Sequence, residues 1–374
     1  MEKQRKTVAV ICEYNPFHHG HRYQISHLKE KYDRVVGIMS GAFVQRGEVA
    51  VADKYRRAAA AVEGGMDLVV ELPFPYCLSS GADFAMAGVR IAAAFGVDAL
   101  AFGCETPGAP LFEMARVAST PDFETELAEL IKASPSLSYP KAKCLLMEKH
   151  LGAEAARALS TPNNILALEY ISCCIKEGID IELYPMQRVL GYKSAAEIRD
   201  AEDMSTEVPF PVFFGDRRNI KHRERELISL LRRGDFTGLY CIDAGLAAAL
   251  NAAARKATSL EELISEATGK TYTAARVRRA IVTAWLGIKA EAVKVPPLYT
   301  NLLAANKKGT EFLSERKKRL ALPLITKPAD YTKLAPEAVA AFEAALAAEE
   351  QAALCTAEIK PYTSPLTATP YIKK

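Results

Sequence analysis

Two rhythms of apolar residues run through this chain, and the balance between them shifts along it. Up to about residue 105, short β-branched runs alternate with longer segments whose apolar positions recur every three or four residues. The runs Thr7–Ile11, Arg34–Met39, Asp67–Leu72 and Ala99–Phe102 predict buried strands. Between them the spacing predicts helices: one opening near His21 and running through Ile25 and Leu28, one over Lys54–Glu63, and one over Ala85–Phe95. Asp53 suits the cap of the second, Gly64-Gly65 its stop, and Gly96 stops the third. Strand and helix in strict alternation predict a doubly wound, Rossmann-like parallel sheet, an α/β fold. Ligands of such sheets sit at the carboxyl ends of the strands, so the loops 12–21, 40–48 and 103–105 are expected to face one crevice. From 111 to 180 the pattern is helical, followed by a short strand at 181–186 and a short helix at 194–199. Beyond 205 helical spacing dominates, over 224–233, 246–256, 260–268, 274–285 and 335–355, with prolines as punctuation. The expected division is a parallel-sheet domain over 1–204 and a mostly α-helical C-terminal domain over 205–374.

Charge sharpens the picture. Residues 1–200 hold 22 Lys/Arg against 25 Asp/Glu, whereas residues 217–327 hold 22 against 10, an excess of +12. That excess points to a polyanion partner; a solvated helix surface is the plainer alternative. Its clusters, at 217–233, 276–279 and 307–319, lie near Phe213, Phe214, Tyr272 and Phe312, as suits an RNA backbone with some unstacked bases. No apolar run approaches a membrane span, and the charged start Met1–Lys6 is followed by no signal-peptide core. The eight cysteines are scattered, with no metal-ligand spacing, so no metal site is expected and a cytoplasmic protein with reduced thiols fits.

Candidate chemistry concentrates in Glu13-Tyr14-Asn15-Pro16-Phe17-His18-His19-Gly20-His21-Arg22-Tyr23, immediately after the first strand. A strand, a tight His/Gly turn and a helix start form a place for phosphate, because free N–H groups and the positive end of the dipole point at it. Four of the chain's six histidines fall between 18 and 27, which weighs against a chance pair in a turn. Asn163 and Asn164 sit just inside a helix start opened by Pro162, where capping and ligand binding are both open. Ser194 at a helix mouth with Arg199 a turn later is a weaker phosphate candidate.

The order His18-x-Gly20-His21 resembles the HxGH signature of the HIGH-type nucleotidyltransferases. Together with SGAFVQRGEVAVADKYRRA at 40–58, DLVVELP at 67–73, AFGCE at 101–105, PNNILALEY at 162–170, QR at 187–188, SAAEIR at 194–199, YTAARVRRA at 272–280 and LPLITK at 322–327, the chain resembles the tRNA(Met) cytidine acetate ligase family. The resemblance implies a nucleotidyltransferase domain over 1–204 that activates acetate with ATP as acetyl-adenylate. It implies a basic domain over 205–374 that binds elongator tRNA(Met), whose wobble cytidine becomes N4-acetylcytidine. His18 and His21 are implied to act on the phosphates, with Gly20 allowing close approach. The implied ATP contacts are Ile11, Cys12, Glu13, Tyr14, Asn15, Pro16, Phe17, His18, His19, Gly20, His21, Arg22, Tyr23, Gln24, Gly103, Asn163 and Arg188, with Mg²⁺ bridging the phosphates and Gln45 and Arg46 ordering the 40–48 loop. Histidines beside phosphates are expected to carry charge, so that activity falls as pH rises through the imidazole range. Neither DNA nor a membrane is an expected partner. The sequence departs from the family's habit at His19 and in a short 188–194 connection. Two other readings stay open: a related nucleotidyltransferase with a small-molecule acceptor, and an RNA-binding protein on a nucleotide fold without catalysis.

Overall fold

The computed structural model describes residues 5–106, 110–189, 191–201, 203–214 and 217–374. Met1 to Gln4 of the charged start, and Leu190 within the short 188–194 connection, lie outside the described residues. The strands are β1 (Thr7–Cys12), β2 (Arg34–Ser40), β3 (Phe43–Val44), β4 (Glu48–Val49), β5 (Leu68–Leu72), β6 (Ala99–Cys104), β7 (Glu182–Gln187), β8 (Thr300–Ala305), β9 (Leu324–Ile325) and β10 (Tyr371–Ile372). The central sheet runs β10-β8-β5-β2-β1-β6-β7, with β9 beside β8; β3 and β4 form a separate hairpin. β1, β2, β5, β6 and β7 are mutually parallel, with Thr7 opposite Arg34 on one side of β1 and Val8 opposite Ala99 on the other. The order reverses between β1 and β6, and a parallel sheet opens a ligand crevice at such a switch point.

The two-residue period of the strands explains the layers. Val8, Val10 and Cys12 of β1 face one core and Ala9 the other, so both faces need helical cover. Helices α1 (His19–Lys31) and α2 (Lys54–Glu63) cover the first face. α3 (Gly81–Ala94), α4 (Leu111–Ala118), α5 (Pro121–Ala133), α6 (Tyr139–Leu151), α7 (Ala153–Ala158) and α8 (Pro162–Glu177) cover the second. The cap at Asp53 forms as expected, its side chain accepting from the Arg56 N–H at 3.0 Å. α3 begins four residues before the expected Ala85, because Ser80 caps it by accepting from the Asp83 N–H at 3.2 Å. β7 tolerates Pro185 because it is the sheet's edge.

After α9 (Ala195–Asp200), helices α10 (Glu224–Arg233), α11 (Ala244–Lys256), α12 (Leu260–Ala267) and α13 (Ala274–Leu286) pack round a core of their own, built on Leu227, Leu231, Leu250, Leu263, Val277 and Ile281. The chain then returns to the sheet. β8 pairs antiparallel with β5, and β9 and β10 pair with β8. α14 (Lys307–Arg316) and α15 (Pro336–Ala353) complete the structure. The sheet's edge therefore does not coincide with the expected boundary at 204/205: three strands from beyond it join the central sheet. The loop expected at 40–48 is the β3–β4 hairpin, with Gly47 at φ +79° closing a three-residue turn.

Among the described residues, no helix is long and apolar enough to cross a membrane.

Candidate active site

A cavity of about 630 Å³ opens at the carboxyl ends of β1 and β6, on the switch point. The loops expected to converge do so: residues 12–15, 18, 20 and 21, then 44–46 and 48, then Gly103 and Glu105 all line it.

His18 is the cap of α1. Its extended backbone (φ −135°, ψ 175°) lets its ring Nδ1 accept from the Gly20 N–H at 3.1 Å. The His21 ring reciprocates, its Nδ1 accepting from the His18 N–H at 3.3 Å. Each Nδ1 is used as an acceptor, so each neutral ring carries its proton on Nε2, and that N–H is the group left to donate to a ligand. The rings stack with centroids 3.7 Å apart. Burial holds His18 down to about 4, helped by the charges of Arg188 and His19; His21 is held well below the ordinary imidazole range by burial, His18 and Arg188. This reverses the expected charge state: without a bound anion, both rings are neutral at pH 7. Gly20 also has a different reason to be glycine. A Cβ there would lie 2.9 Å from Cε1 of the His18 ring, so the missing side chain makes room for the cap itself.

Of the other residues implied to contact ATP, Ile11, Cys12, Glu13, Tyr14, Asn15, Tyr23, Gln24, Gly103, Asn163 and Arg188 line the cavity, whereas Pro16, Phe17, His19 and Arg22 do not. Phe17 is fully buried against Tyr14 and Phe210, and His19 and Arg22 point to solvent. A Cβ on Gly103 would meet Asn163 at an ordinary 3.8 Å, so any crowding there has to come from a ligand. The two amides of α8 divide the roles left open for them. Asn164 is buried and structural: its Oδ1 accepts from the Glu105 N–H at 3.0 Å and its Nδ2 donates to Thr106 and Ala158. Asn163 faces the cavity, its Nδ2 donating to Glu105 Oε1 at 3.0 Å. Arg188 stands 3.6 Å from that same carboxylate oxygen, with its guanidinium half exposed. Ser194 accepts from the Glu197 N–H, and Arg199 donates to the Asn15 carbonyl at 2.6 Å and to Glu48 at 2.8 Å, so both brace the walls.

Two contributors lie within the quoted motifs but are not singled out in them. Glu105 organises Asn163 and Arg188. Arg57, fully buried on α2, donates to the carbonyls of Ala52 (3.0 Å), Ser40 (2.9 Å), Glu13 and Gly41, tying the ends of β1 and β2 to α2. Its neighbourhood is so dry that burial brings its guanidinium down to about 10. No local pattern marks such a residue, because its acceptors are main-chain carbonyls up to 44 residues away.

The cavity's carboxylates are already engaged. Glu13 accepts from the Gln45 N–H at 2.7 Å, Glu48 from Arg199, and Glu105 from Asn163. Among the described residues, no group of three His, Cys, Asp or Glu could hold a metal.

The basic clusters do not share one surface. Cluster 307–319 falls largely on α14, where Arg34 pairs with Glu315 and Gly309 packs on the Asp67 carbonyl, at the amino ends of β2 and β5. That is the opposite end of the sheet from the cavity, about 20 Å away along a six-residue strand. Cluster 276–279 instead abuts the β3–β4 hairpin at the cavity wall. Phe214 is buried in the core and is no base-stacking platform; Phe213 packs on Tyr371, and Tyr272 lies against Arg276.

This geometry has close relatives. The HIGH Nucleotidyl Transferase family matches residues 5–207 and 218–364. A tRNA(Met) cytidine acetate ligase of Limosilactobacillus reuteri is 34% identical over 356 residues, covering 86% of this chain and 90% of that one. One from Streptococcus mutans is 33% identical over 334 residues, covering 84% and 87%. The crystal structure of Thermotoga maritima TmcAL bound with alpha-thio ATP superposes with a TM-score of 0.90 at 27% identity, covering 98% of this chain and 99% of that one. With its signature histidines at the switch point of the matching sheet, the chain belongs to the HIGH-type nucleotidyltransferases and, within them, to the tRNA(Met) cytidine acetate ligase family.

Proposed function

We propose that the cavity binds ATP and acetate and joins them. The protein is a ligase of its family. The observation that carries the assignment to this cavity is the pair of stacked, neutral histidines whose Nε2–H groups are free to donate at the mouth of β1. The carboxylate of acetate, ionised at neutral pH, attacks the α-phosphorus of ATP; the bond to the β-phosphate oxygen breaks and pyrophosphate leaves. The exocyclic amine of the acceptor cytidine then attacks the acetyl carbonyl and AMP leaves, giving N4-acetylcytidine. The protein's part is to position the anions and to stabilise charge as it develops. His18 and His21 donate to oxygens of the transferring and leaving phosphates. Asn163, with one face on Glu105, offers the other to the nucleoside, and Arg188 is a cation within reach of phosphate. Because the wall carboxylates are engaged, a Mg²⁺ bound here would be held chiefly by the phosphates and its own waters, and would supply positive charge beside the pyrophosphate.

The helical body between Glu224 and Leu286 receives elongator tRNA(Met), as the arginines at the start of α13 and their contact with the cavity wall favour; its own net charge is only +2, and most of the +12 excess flanks it at 217–223 and 287–327. On this reading residues 1–204 form the nucleotidyltransferase domain, with the sheet completed by strands from the second half. Residues 205–374 supply the RNA-binding domain, and the enzyme works in the cytoplasm.

The deciding experiment is pyrophosphate release from ATP, with and without acetate and tRNA, followed by nucleoside analysis of the tRNA. Release that requires acetate, with N4-acetylcytidine in the product, supports the reading. Release indifferent to tRNA and without acetylcytidine turns it towards a small-molecule acceptor. No release turns it towards RNA binding without catalysis.

A further inference from the structure

Among the described residues, three of the four Lys/Arg side chains lining the cavity have a protein partner beside them. Arg188 stands beside Glu105, Lys193 pairs with Glu207 at 2.5 Å, and Arg199 with Glu48 at 2.8 Å. The fourth, Arg46, is exposed and has neither a hydrogen bond nor an ion pair among the described residues. Its backbone is nonetheless held firmly. It sits at the tip of the β3–β4 hairpin, whose turn closes with the Gly47 N–H donating to the Val44 carbonyl at 3.0 Å. Gln45 beside it is pinned three ways: its N–H donates to Glu13, its Nε2 to the Ser79 carbonyl at 3.3 Å, and its carbonyl accepts from Arg279 Nη1 at 3.2 Å. The Arg46 charge acts on Glu13 at longer range, but with no direct hydrogen bond or ion pair its guanidinium, carried on an immobilised tip, is available to an external anion.

The hairpin also touches the helical body. Gly47 lies so near α13 that a Cβ would stand 2.4 Å from the Arg279 nitrogen and 2.8 Å from the Arg278 Cβ. Phe43 packs edge-on against Trp285 of the same helix at 6.2 Å. Of the three arginines at this end of α13, Arg276 is spent on Asp243 at 2.6 Å and Arg279 on Gln45. The Arg278 side chain makes no hydrogen bond or ion pair among the described residues and acts only at longer range on Glu261, so beside Gly47 stand two arginines, one from each part of the molecule, with no direct protein partner.

We propose that Arg46 and Arg278 together hold the RNA backbone phosphates flanking the acceptor base as a single-stranded segment enters the cavity. The inference rests on the tRNA-acceptor reading above and says where the strand crosses the wall. RNA is favoured over the phosphates of ATP by position. The histidines, Asn163 and Arg188 stand on β1, β6 and β7 and their connections, whereas the hairpin follows β2 on the other flank of the switch point, against the basic helix. A splayed acceptor base needs its own phosphates held outside the chemistry, which is how single-stranded RNA is commonly presented.

The test is binding of an elongator tRNA(Met) transcript to the full chain at several salt concentrations, with ATP binding measured in parallel. R46A and R278A are each expected to weaken tRNA binding about ten-fold at low salt and to lower the salt slope by about one; R46K and R278K are expected to restore the slope, since a phosphate accepts a point charge. Variants that bind tRNA as tightly as the unmodified protein, with an unchanged slope, would overturn the proposal. So would R46A losing ATP affinity while keeping its tRNA affinity, which would give Arg46 to the nucleotide. If the unmodified protein itself binds no tRNA, the acceptor reading fails and the inference with it.

Discussion

At the scale of single residues, the site turns on where two protons sit. His18 and His21 use each Nδ1 to accept from backbone N–H groups, which leaves two neutral rings donating through Nε2. Replacing either by asparagine is expected to lower acetate-dependent ATP–pyrophosphate exchange by about 10² to 10³, the scale for one lost transition-state donor. The pH dependence has a definite sign. Both rings titrate lower in the fold than the ordinary value near 6.5, so protonation favours the unfolded chain. Their stabilising contribution is present above about pH 6.5 and is lost as pH falls towards 4. The melting temperature should drop across that window, and drop less in His18→Gln and His21→Gln. By the same argument the kcat/KM profile for ATP should be flat from neutral pH upward and decline on the acid side. The histidine signature was legible in the sequence because its parts are neighbours along the chain. The choice between Asn163 and Asn164 was not, since it depends on which side of α8 meets Glu105.

Among elements, the four early strands, α2 and most of the later helices were legible because each carries its own period and its own stops. The hairpin at 43–49 was not, because two-residue strands have no period to show. β8 was missed for another reason. Thr300–Ala305 is buried on both faces like β2 and β5, but its sequence TNLLAA lacks the Val/Ile run that marks those two, and its partner β5 lies some 230 residues earlier. The joint between β1, β2 and α2 likewise depends on a contact that no local pattern reveals. Arg57→Ala should strand several buried carbonyls at once and destabilise the fold by about 3 kcal/mol or more, measurable by urea unfolding of the whole chain. Arg57→Lys should recover only part of this, since an ammonium cannot span the same carbonyls in one plane.

Across the whole molecule, the +12 excess of residues 217–327 was legible as a number but not as a surface. Much of it is committed internally: Arg217 to main-chain carbonyls, Lys221 to Glu261, Arg223 to Glu226 and Arg34's partner helix to the far end of the sheet. A long run of charge therefore overstates the footprint on RNA. The salt slope of tRNA binding should accordingly correspond to far fewer phosphates than the 22 cationic residues in that stretch. Charge reversal at Lys318, beyond α14 and away from the cavity, should move tRNA affinity less than charge reversal at Arg278, a comparison that filter binding can make directly.

The antiparallel seating of β8 against β5 makes the helical body an insertion rather than an appendage. Both of its ends are stitched to one sheet, so it cannot be cut away or exchanged as a cassette. A fragment stopped at residue 204 would leave the main-chain groups of β5 exposed along the side that β8 covers, an open template for another chain. Such a fragment should be recovered as aggregate, whereas removing residues 220–293 and bridging the gap with a short flexible linker keeps β8 in place and should yield a monodisperse sheet domain. For this family architecture, modular dissection has to follow the hydrogen-bond ladder and not the order of the chain.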